Sequence, residues 1–201
     1  PGDISVALVG RQITAARRQG KSMWVETSSL DGEQQGGPDL GIHLGMSGRI
    51  VISGGGEETA EGGDWDGGGY GKGANSLDRK PEWDRFTLTF TDGGTLRLFD
   101  KRRLGRVRLD PPLEALGPDA ERVTKDDFTD RMSRGRAHVK ARLLDQSVIA
   151  GVGNLLADET LWQAQVAPMQ RVDTMSRQDL GRLHTALRKA TKAAIKQGGV
   201  H

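Results

Sequence analysis

The chain of 201 residues contains no cysteine. This absence excludes a disulfide framework and any zinc site made of cysteine thiolates within these residues, and it leaves the redox compartment open. No apolar run approaches the length of a membrane-spanning helix, which needs about 20 residues. No group of histidines and acids has the spacing of metal ligands, and no serine, histidine and aspartate set lies in a nucleophile-elbow context. The length suits one or two domains with a real core.

The net charge is also low, at only +2, which is small for a protein that binds DNA. Its distribution is uneven. Residues 97–108 contain six basic side chains and one acid, residues 131–142 contain five basic side chains and no acid, and acids gather at 57–66. Separated charge of this kind predicts a basic face that displaces phosphate counterions. The alternative is an ordinary solvated arginine-rich surface.

Strand signals occupy the first half of the sequence. They cover residues 22–27 and 41–52, followed by a hairpin in which Phe86, Leu88 and Phe90 alternate before a turn at 91–94. These signals predict a β-sandwich-like domain over residues 1–110. Within it, about 53–80 is rich in glycine and acid and poor in apolar residues, which predicts a mobile loop. Trp65 and Tyr70 in this loop are able to touch DNA, with aromatics that are incidental to function as the alternative.

Residues 111–201 are predicted to be helical, after a proline-rich boundary. Thr124 and Asp127 have the spacing of a capping box, and so do Ser176 and Asp179 at the start of the last helix. Apolar residues then recur along one face of that helix, and Gly198 is placed to stop it.

The most informative stretch is 139–168, whose pattern is helix, glycine turn, helix. Gly151 and Gly153 permit a sharp turn and a close approach to a ligand. Asn154 then opens a helix whose free N–H groups and positive dipole end suit a phosphate. Lys140 is expected to reach the same phosphate from the preceding helix, because the apolar residues around it face the core. An ordinary helical hairpin, with glycines that only relieve crowding, is the alternative.

Three blocks of sequence resemble one family. The string LLDQSVIAGVGNLLADETLWQAQVAP at 143–168 resembles the helix-two-turn-helix signature of the formamidopyrimidine-DNA glycosylase and endonuclease VIII family. HLGMSGRI at 43–50 and FDKRRLGRV at 99–107 follow the family's order. The resemblance implies an α+β fold, with an incomplete N-terminal β-sandwich-like domain (1–110) followed by a helix-two-turn-helix domain (111–201).

The family's activity is base-excision repair. The resemblance therefore implies a DNA glycosylase with AP lyase activity on oxidised bases, with damaged or abasic double-stranded DNA as partner. It also implies a monomer in the bacterial cytoplasm, at the nucleoid. The family's N-terminal proline and glutamate are not matched by Pro1, Gly2 and Asp3, and its four-cysteine zinc finger is not matched either. We therefore expect the DNA-binding core of such an enzyme, with no certain catalytic residue and no cofactor. The alternative is a noncatalytic damaged-DNA or nucleic-acid binding module.

The resemblance also assigns roles to single residues. Met46 resembles the family's void-filling residue, with core packing as the alternative. Arg103 resembles the arginine that pairs with the orphaned base, and Leu104 stands where the family usually has phenylalanine. Lys21 resembles a lysine that contacts the phosphate beside the lesion, with a plain turn lysine as the alternative. The expected DNA-binding set is Lys21, Met46, Arg103, Leu104, Lys140 and Asn154.

Overall fold

The computed structural model describes residues 2–31, 36–46, 48–54, 57–61 and 81–197. The chain divides into two compact units. One contains Pro1–Arg17 and Met23–Pro111, and the other contains Arg18–Ser22 and Pro112–His201. The division after Pro111 lies one residue beyond the boundary expected from the sequence. The grouping of the short turn Arg18–Ser22 with the C-terminal unit has no counterpart in the sequence pattern.

The first unit is a β structure preceded by the short helix α1, Gly2–Leu8. Its strands are β1 Ile13–Gln19, β2 Ser22–Thr27, β3 Leu40–His43, β4 Arg49–Gly54, β5 Glu57–Glu61, β6 Asp84–Thr89, β7 Thr95–Phe99 and β8 Arg106–Leu109. They form two four-stranded sheets, ordered β1-β2-β3-β8 and β5-β4-β7-β6. Leu40, Ile42, Leu96 and Leu98 are buried together in the core, because alternate residues of a strand point to the same face. The expected α+β class is confirmed.

The stretch 41–52, read from the sequence as one strand, belongs to both sheets. β3 pairs with β8 in one sheet, while β4 pairs with β7 in the other. The chain turns between them, where the Gly48 N–H donates to the Leu44 carbonyl at 2.8 Å. Gly45 makes this turn possible, because its φ of +66° lies in the left-handed region that favours glycine.

Part of the predicted mobile loop is a strand. Residues 57–61 form β5, which pairs antiparallel with β4 from Ile50 opposite Glu61 to Gly54 opposite Glu57. For these five residues the loop prediction is wrong, because backbone hydrogen bonds to a neighbouring strand stabilise a sequence that has little apolar surface of its own. Residues 62–80, with Trp65 and Tyr70, lie outside the described residues.

In the described part of the second unit, four α-helices follow one another: α2 Lys125–Met132, α3 Val139–Leu144, α4 Asn154–Ala164 and α5 Arg177–Gln197. Their apolar faces share one core, in which Phe128, Met132, Leu143, Leu183 and Leu187 are fully buried. No helix among the described residues is long and apolar enough to cross a membrane.

Both predicted helix caps form, that of α2 in one direction and that of α5 in both. The Asp127 N–H donates to Thr124 Oγ1 at 3.3 Å at the start of α2. At the start of α5 the pairing is reciprocal, because the Ser176 N–H donates to Asp179 Oδ2 and the Asp179 N–H donates to Ser176 Oγ, each at 3.1 Å. The side chains satisfy N–H groups that the first helical turn leaves free. α5 ends at Gln197, and the glycines predicted to stop it lie outside the described residues.

Candidate nucleic-acid interface

Two turns of the first unit bring apolar side chains to the surface. Met46 is 59% exposed on the turn between β3 and β4, and Leu104 is 42% exposed between β7 and β8. The turns touch each other, since a Cβ built on Gly45 would lie 2.6 Å from Leu104 Cβ. Met46 is therefore not a core residue, and the fold places it near Leu104 at one edge of the unit.

A buried carboxylate shapes the loop that carries Arg103. Asp100 is fully buried and accepts N–H donations from Arg102 at 3.0 Å and from Leu104 and Gly105 at 2.6 Å each. Arg103, between these donors, has a φ of +59°, a conformation that is uncommon for a side chain other than glycine. Asp100 therefore holds the exposed Arg103 and Leu104 in a strained turn. Sequence reasoning missed this role, although Asp100 is the one acid in the basic stretch 97–108.

The basic stretch is mostly, but not wholly, a surface feature. Arg102, Arg103, Arg106 and Arg108 are exposed. Arg97 is only 4% exposed, with its guanidinium 3.4 Å from Asp84, so it contributes to the interior of the β unit rather than to a basic face. Lys101 lies with Nζ 5.1 Å from the centre of the Trp83 ring. A cation over an aromatic face is attractive, which gives this lysine a local role.

In the second unit the start of α4 is open to a ligand. The helix begins at Asn154, whose side chain is exposed, and the preceding Gly153 has no side chain with which to cap it. The free N–H groups and the positive end of the dipole therefore lie at the surface. Gly151 has a φ of +104°, as the predicted sharp glycine turn requires.

Lys21 lies at this helix start. Its Nζ donates to the Val152 carbonyl at 3.2 Å, and a Cβ built on Gly153 would lie 2.5 Å from it. Burial lowers the pKa of Lys21 below the ordinary lysine value. Lys21 is therefore seated against the turn that precedes Asn154, and is more than a solvated turn lysine.

Glycine packing explains how the turn Arg18–Ser22 reaches this place. Gly20 has a φ of +58°, and a Cβ on it would lie 2.4 Å from the Gly151 backbone nitrogen. The Gln19 side-chain amide also donates to the Gly117 carbonyl at 2.6 Å. Only glycine permits this close backbone approach, which fixes the neighbouring Lys21.

The prediction that the Lys140 ammonium is free to reach a phosphate is wrong. Its Nζ lies 2.7 Å from Asp158 Oδ1 on α4, so the ammonium is paired with an acid. Asp158 follows Asn154 by four residues and thus lies one helical turn along from it, within reach of α3. The sequence pattern had placed Lys140 on the polar side of α3 without showing which group would meet it.

We expect replacement of Lys140 by methionine to change affinity for duplex DNA by less than about twofold and to leave the salt dependence nearly unchanged, because no phosphate contact is lost. The matched variant Lys21→Met should instead make the slope of log K against log salt shallower by about 0.9. Fluorescence anisotropy with a labelled duplex over a KCl series measures both. A shallower slope for Lys140→Met would show that Lys140 leaves Asp158 to contact phosphate.

Two family models match the chain. The model described as the formamidopyrimidine-DNA glycosylase N-terminal domain matches residues 1–107, and the model described as the formamidopyrimidine-DNA glycosylase H2TH domain matches residues 115–201. The chain belongs to the formamidopyrimidine-DNA glycosylase family. The family expected from the three sequence blocks is confirmed, and Lys21, Met46, Arg103 and Leu104 fall in the first match while Lys140 and Asn154 fall in the second.

Named relatives agree with this membership. A formamidopyrimidine-DNA glycosylase of Arabidopsis thaliana is 32% identical over 98% of this chain and 48% of its own length. One of Parafrankia sp. is 33% identical over 97% of this chain and 64% of its own length. The chain thus spans between about half and two thirds of these two relatives.

Solved structures of the formamidopyrimidine-DNA glycosylase family are also similar. MutM (Fpg) from Thermus thermophilus is 28% identical, with a TM-score of 0.67 over 94% of this chain and 62% of that one. The Lactococcus lactis enzyme, bound noncovalently to DNA containing an AP site, is 24% identical, with a TM-score of 0.70 over 98% of this chain and 69% of that one. The second likeness is evidence for the fold alone.

Proposed function

We propose that this chain is the DNA-binding core of a base-excision repair glycosylase with AP lyase activity, which acts on oxidised bases in double-stranded DNA. The observation that carries the proposal is the position of the Lys21 ammonium beside the uncapped start of α4, in a chain of the formamidopyrimidine-DNA glycosylase family. The chain would act as a monomer on chromosomal DNA, at the nucleoid in the cytoplasm of a bacterium, and its DNA contacts would need no cofactor.

The start of α4 has the chemistry of a phosphate site. Its free N–H groups donate to anionic oxygens, and the helix dipole favours negative charge there. The Lys21 ammonium adds a full positive charge beside Gly153, and the exposed Asn154 side chain offers an amide donor. A DNA phosphate satisfies all of these groups at once.

The edge formed by Met46, Arg103 and Leu104 suits a duplex from which one nucleotide has been extruded. An enzyme that excises a base must rotate it out of the stack and hold the vacated duplex open, at a cost of a few kcal/mol. Met46 is flexible and apolar, which lets it fill an irregular gap. Arg103 supplies hydrogen-bond donors for an orphaned base, and Leu104 supplies an apolar wedge without an aromatic face.

Chemistry at the sugar needs an amine that attacks C1′ of the damaged nucleotide, expels the base and forms a Schiff base. We assign no catalytic residue in this chain. Burial lowers the pKa of Lys21, but its Nζ donates to the Val152 carbonyl and lies where a phosphate would bind. Its proposed role is therefore phosphate binding.

Binding to two labelled duplexes tests the proposal. One duplex carries a single tetrahydrofuran analogue of an abasic site, and the other is undamaged. The wild-type chain should prefer the first by about tenfold or more, Arg103→Ala should reduce this preference, and Asn154→Ala should weaken binding to both. Lys192→Ala, which removes an exposed cation of α5 outside both basic stretches, is the control. Equal affinity of the wild type for the two duplexes would refute the proposed function.

Borohydride trapping on a true abasic duplex tests the lyase component separately. Reduction of a Schiff base gives a covalent adduct, which denaturing electrophoresis detects. An adduct would show that an amine of this chain performs the first lyase step. Lesion-selective binding without an adduct would identify a noncatalytic damaged-DNA binding module in these residues.

A further inference from the structure

Asp119 joins the turn Arg18–Ser22 to the rest of the helical unit. Its Oδ2 accepts the Gly20 N–H at 2.7 Å and lies 3.2 Å from an Arg18 guanidinium nitrogen. Its Oδ1 accepts the Glu121 N–H at 2.8 Å. The Asp119 side chain is only 12% exposed, so its bonds to the Gly20 and Glu121 N–H groups are partly sheltered from water.

The backbone of Asp119 is itself fixed to the glycine turn before α4. The Ala120 N–H donates to the Ala150 carbonyl, and the Ala150 N–H donates to the Pro118 carbonyl, each at 2.9 Å. Asp119 and Ala150 thus form a parallel bridge. Because Gly151 follows directly, the carboxylate that holds Gly20 is tied to the same segment against which Gly20 packs.

We propose that Asp119 is a positioning residue, whose carboxylate holds Gly20 so that the Lys21 ammonium lies at the start of α4 to bind a DNA phosphate. This inference rests on the proposed function, because it names what places the phosphate ligand. Asp119 does not itself touch the DNA in this scheme. Asp119 affects DNA binding indirectly: its carboxylate accepts the Gly20 N–H, and this bond fixes the position of Lys21, the residue that follows Gly20.

The direction in which DNA affinity changes when the Asp119 carboxylate is removed tests the inference. Removing an acid from a DNA-binding surface reduces repulsion of phosphates, so the loss of a merely electrostatic carboxylate tightens DNA binding. The loss of a positioning carboxylate weakens DNA binding, because Lys21 leaves its seat. Glu121→Gln is the matched control, since Glu121 lies 3.1 Å from the same Arg18 guanidinium but its carboxylate does not hold Gly20.

Anisotropy with the tetrahydrofuran duplex over a KCl series decides between the two. We expect Asp119→Ala, which removes both the charge and the acceptor of the Gly20 N–H, to bind about tenfold more weakly, as for loss of a hydrogen bond to a charged group, with a slope of log K against log salt shallower by about 0.9. Glu121→Gln should bind at least as tightly as the wild type. Combining Asp119→Ala with Lys21→Ala should be no worse than Lys21→Ala alone, because both remove one contact. Additive losses, or a variant Asp119→Ala that binds as tightly as Glu121→Gln, would overturn the inference.

A second variant displaces the turn Arg18–Ser22 by a steric clash instead of by loss of a hydrogen bond. Gly20→Ala changes no charge, but its Cβ would collide with the Gly151 nitrogen and force the turn away. It should reproduce the weaker binding and the shallower slope. If Asp119→Ala does not fold, this variant decides the matter, and unchanged binding by a folded Gly20→Ala protein would overturn the inference.

A measurement without DNA separates this inference from the proposed function. The pH dependence of reductive methylation of Lys21 by formaldehyde and cyanoborohydride, followed by mass spectrometry, reports the pKa of its amine. Burial lowers the pKa of Lys21 while its amine lies against the turn before α4. Release of the turn Arg18–Ser22 by Asp119→Ala should therefore raise the midpoint toward that of ordinary lysines, and Glu121→Gln should not. Failure of the wild type to bind DNA would refute the function alone. An unchanged Lys21 midpoint in Asp119→Ala would refute the positioning role.

Discussion

Replacement of Asp100 by alanine lowers the free energy of unfolding of the β unit by about 3 kcal/mol, because buried N–H groups lose their acceptor. Three backbone donors, those of Arg102, Leu104 and Gly105, share this one fully buried carboxylate. Urea denaturation followed by tryptophan fluorescence and circular dichroism measures the loss. Asp92→Ala is the matched control, since Asp92 accepts one N–H, that of Gly94, in a hairpin turn of the same unit. An effect no larger than that of Asp92→Ala would contradict this role of Asp100.

The same substitution should affect DNA recognition as strongly as the loss of Arg103 itself. The positive φ of Arg103 persists only while surrounding bonds hold it, and Asp100 supplies the bonds on both sides. Asp100→Ala should therefore remove the preference for the tetrahydrofuran duplex while leaving the helical unit folded. Retention of that preference would show that the loop keeps its shape without the carboxylate.

Replacement of Gly153 by alanine should weaken DNA binding about tenfold, as expected for the loss of one charged phosphate contact, with little change in stability. The φ of Gly153 is −115° and its ψ is 178°, a conformation that any residue adopts. The new Cβ would nevertheless lie 2.5 Å from Lys21 Nζ, so the flexible lysine side chain must move away. Anisotropy with the tetrahydrofuran duplex and thermal denaturation measure the two properties.

Two further variants show whether the effect passes through Lys21. Gly153→Ala should change nothing when Lys21 is already methionine, because no ammonium remains to be displaced. Gly151→Ala should instead destabilise the protein, by about 1–3 kcal/mol, because its φ of +104° strains any residue with a Cβ. If Gly153→Ala weakens DNA binding further in the Lys21→Met protein, the proposed position of the Lys21 ammonium beside Gly153 is contradicted.

Where sequence reasoning succeeded, the deciding interactions are local. Thr124 with Asp127 and Ser176 with Asp179 are three residues apart, and the Thr124 and Ser176 hydroxyls cap their helices as the spacing predicts. The apolar period of α5 likewise fixes which face is buried. Where it failed, the partner was remote or invisible to composition. Lys140 meets Asp158 on the following helix, and β5 is stabilised by backbone pairing with β4.

The amino-acid pattern alone was enough for the α+β class, the family, the helix start at Asn154 and the exposed residues Arg103 and Leu104, because each depends on neighbours within a few positions or on a continuous motif. The folded chain was needed to show that Lys21 meets Val152, 131 residues away, and that Asp119 holds Gly20, 99 residues away. No local propensity encodes such pairs. They form because the glycine turns let two backbones approach closely, and that approach exists only once the helical unit has folded with the turn Arg18–Ser22 in place.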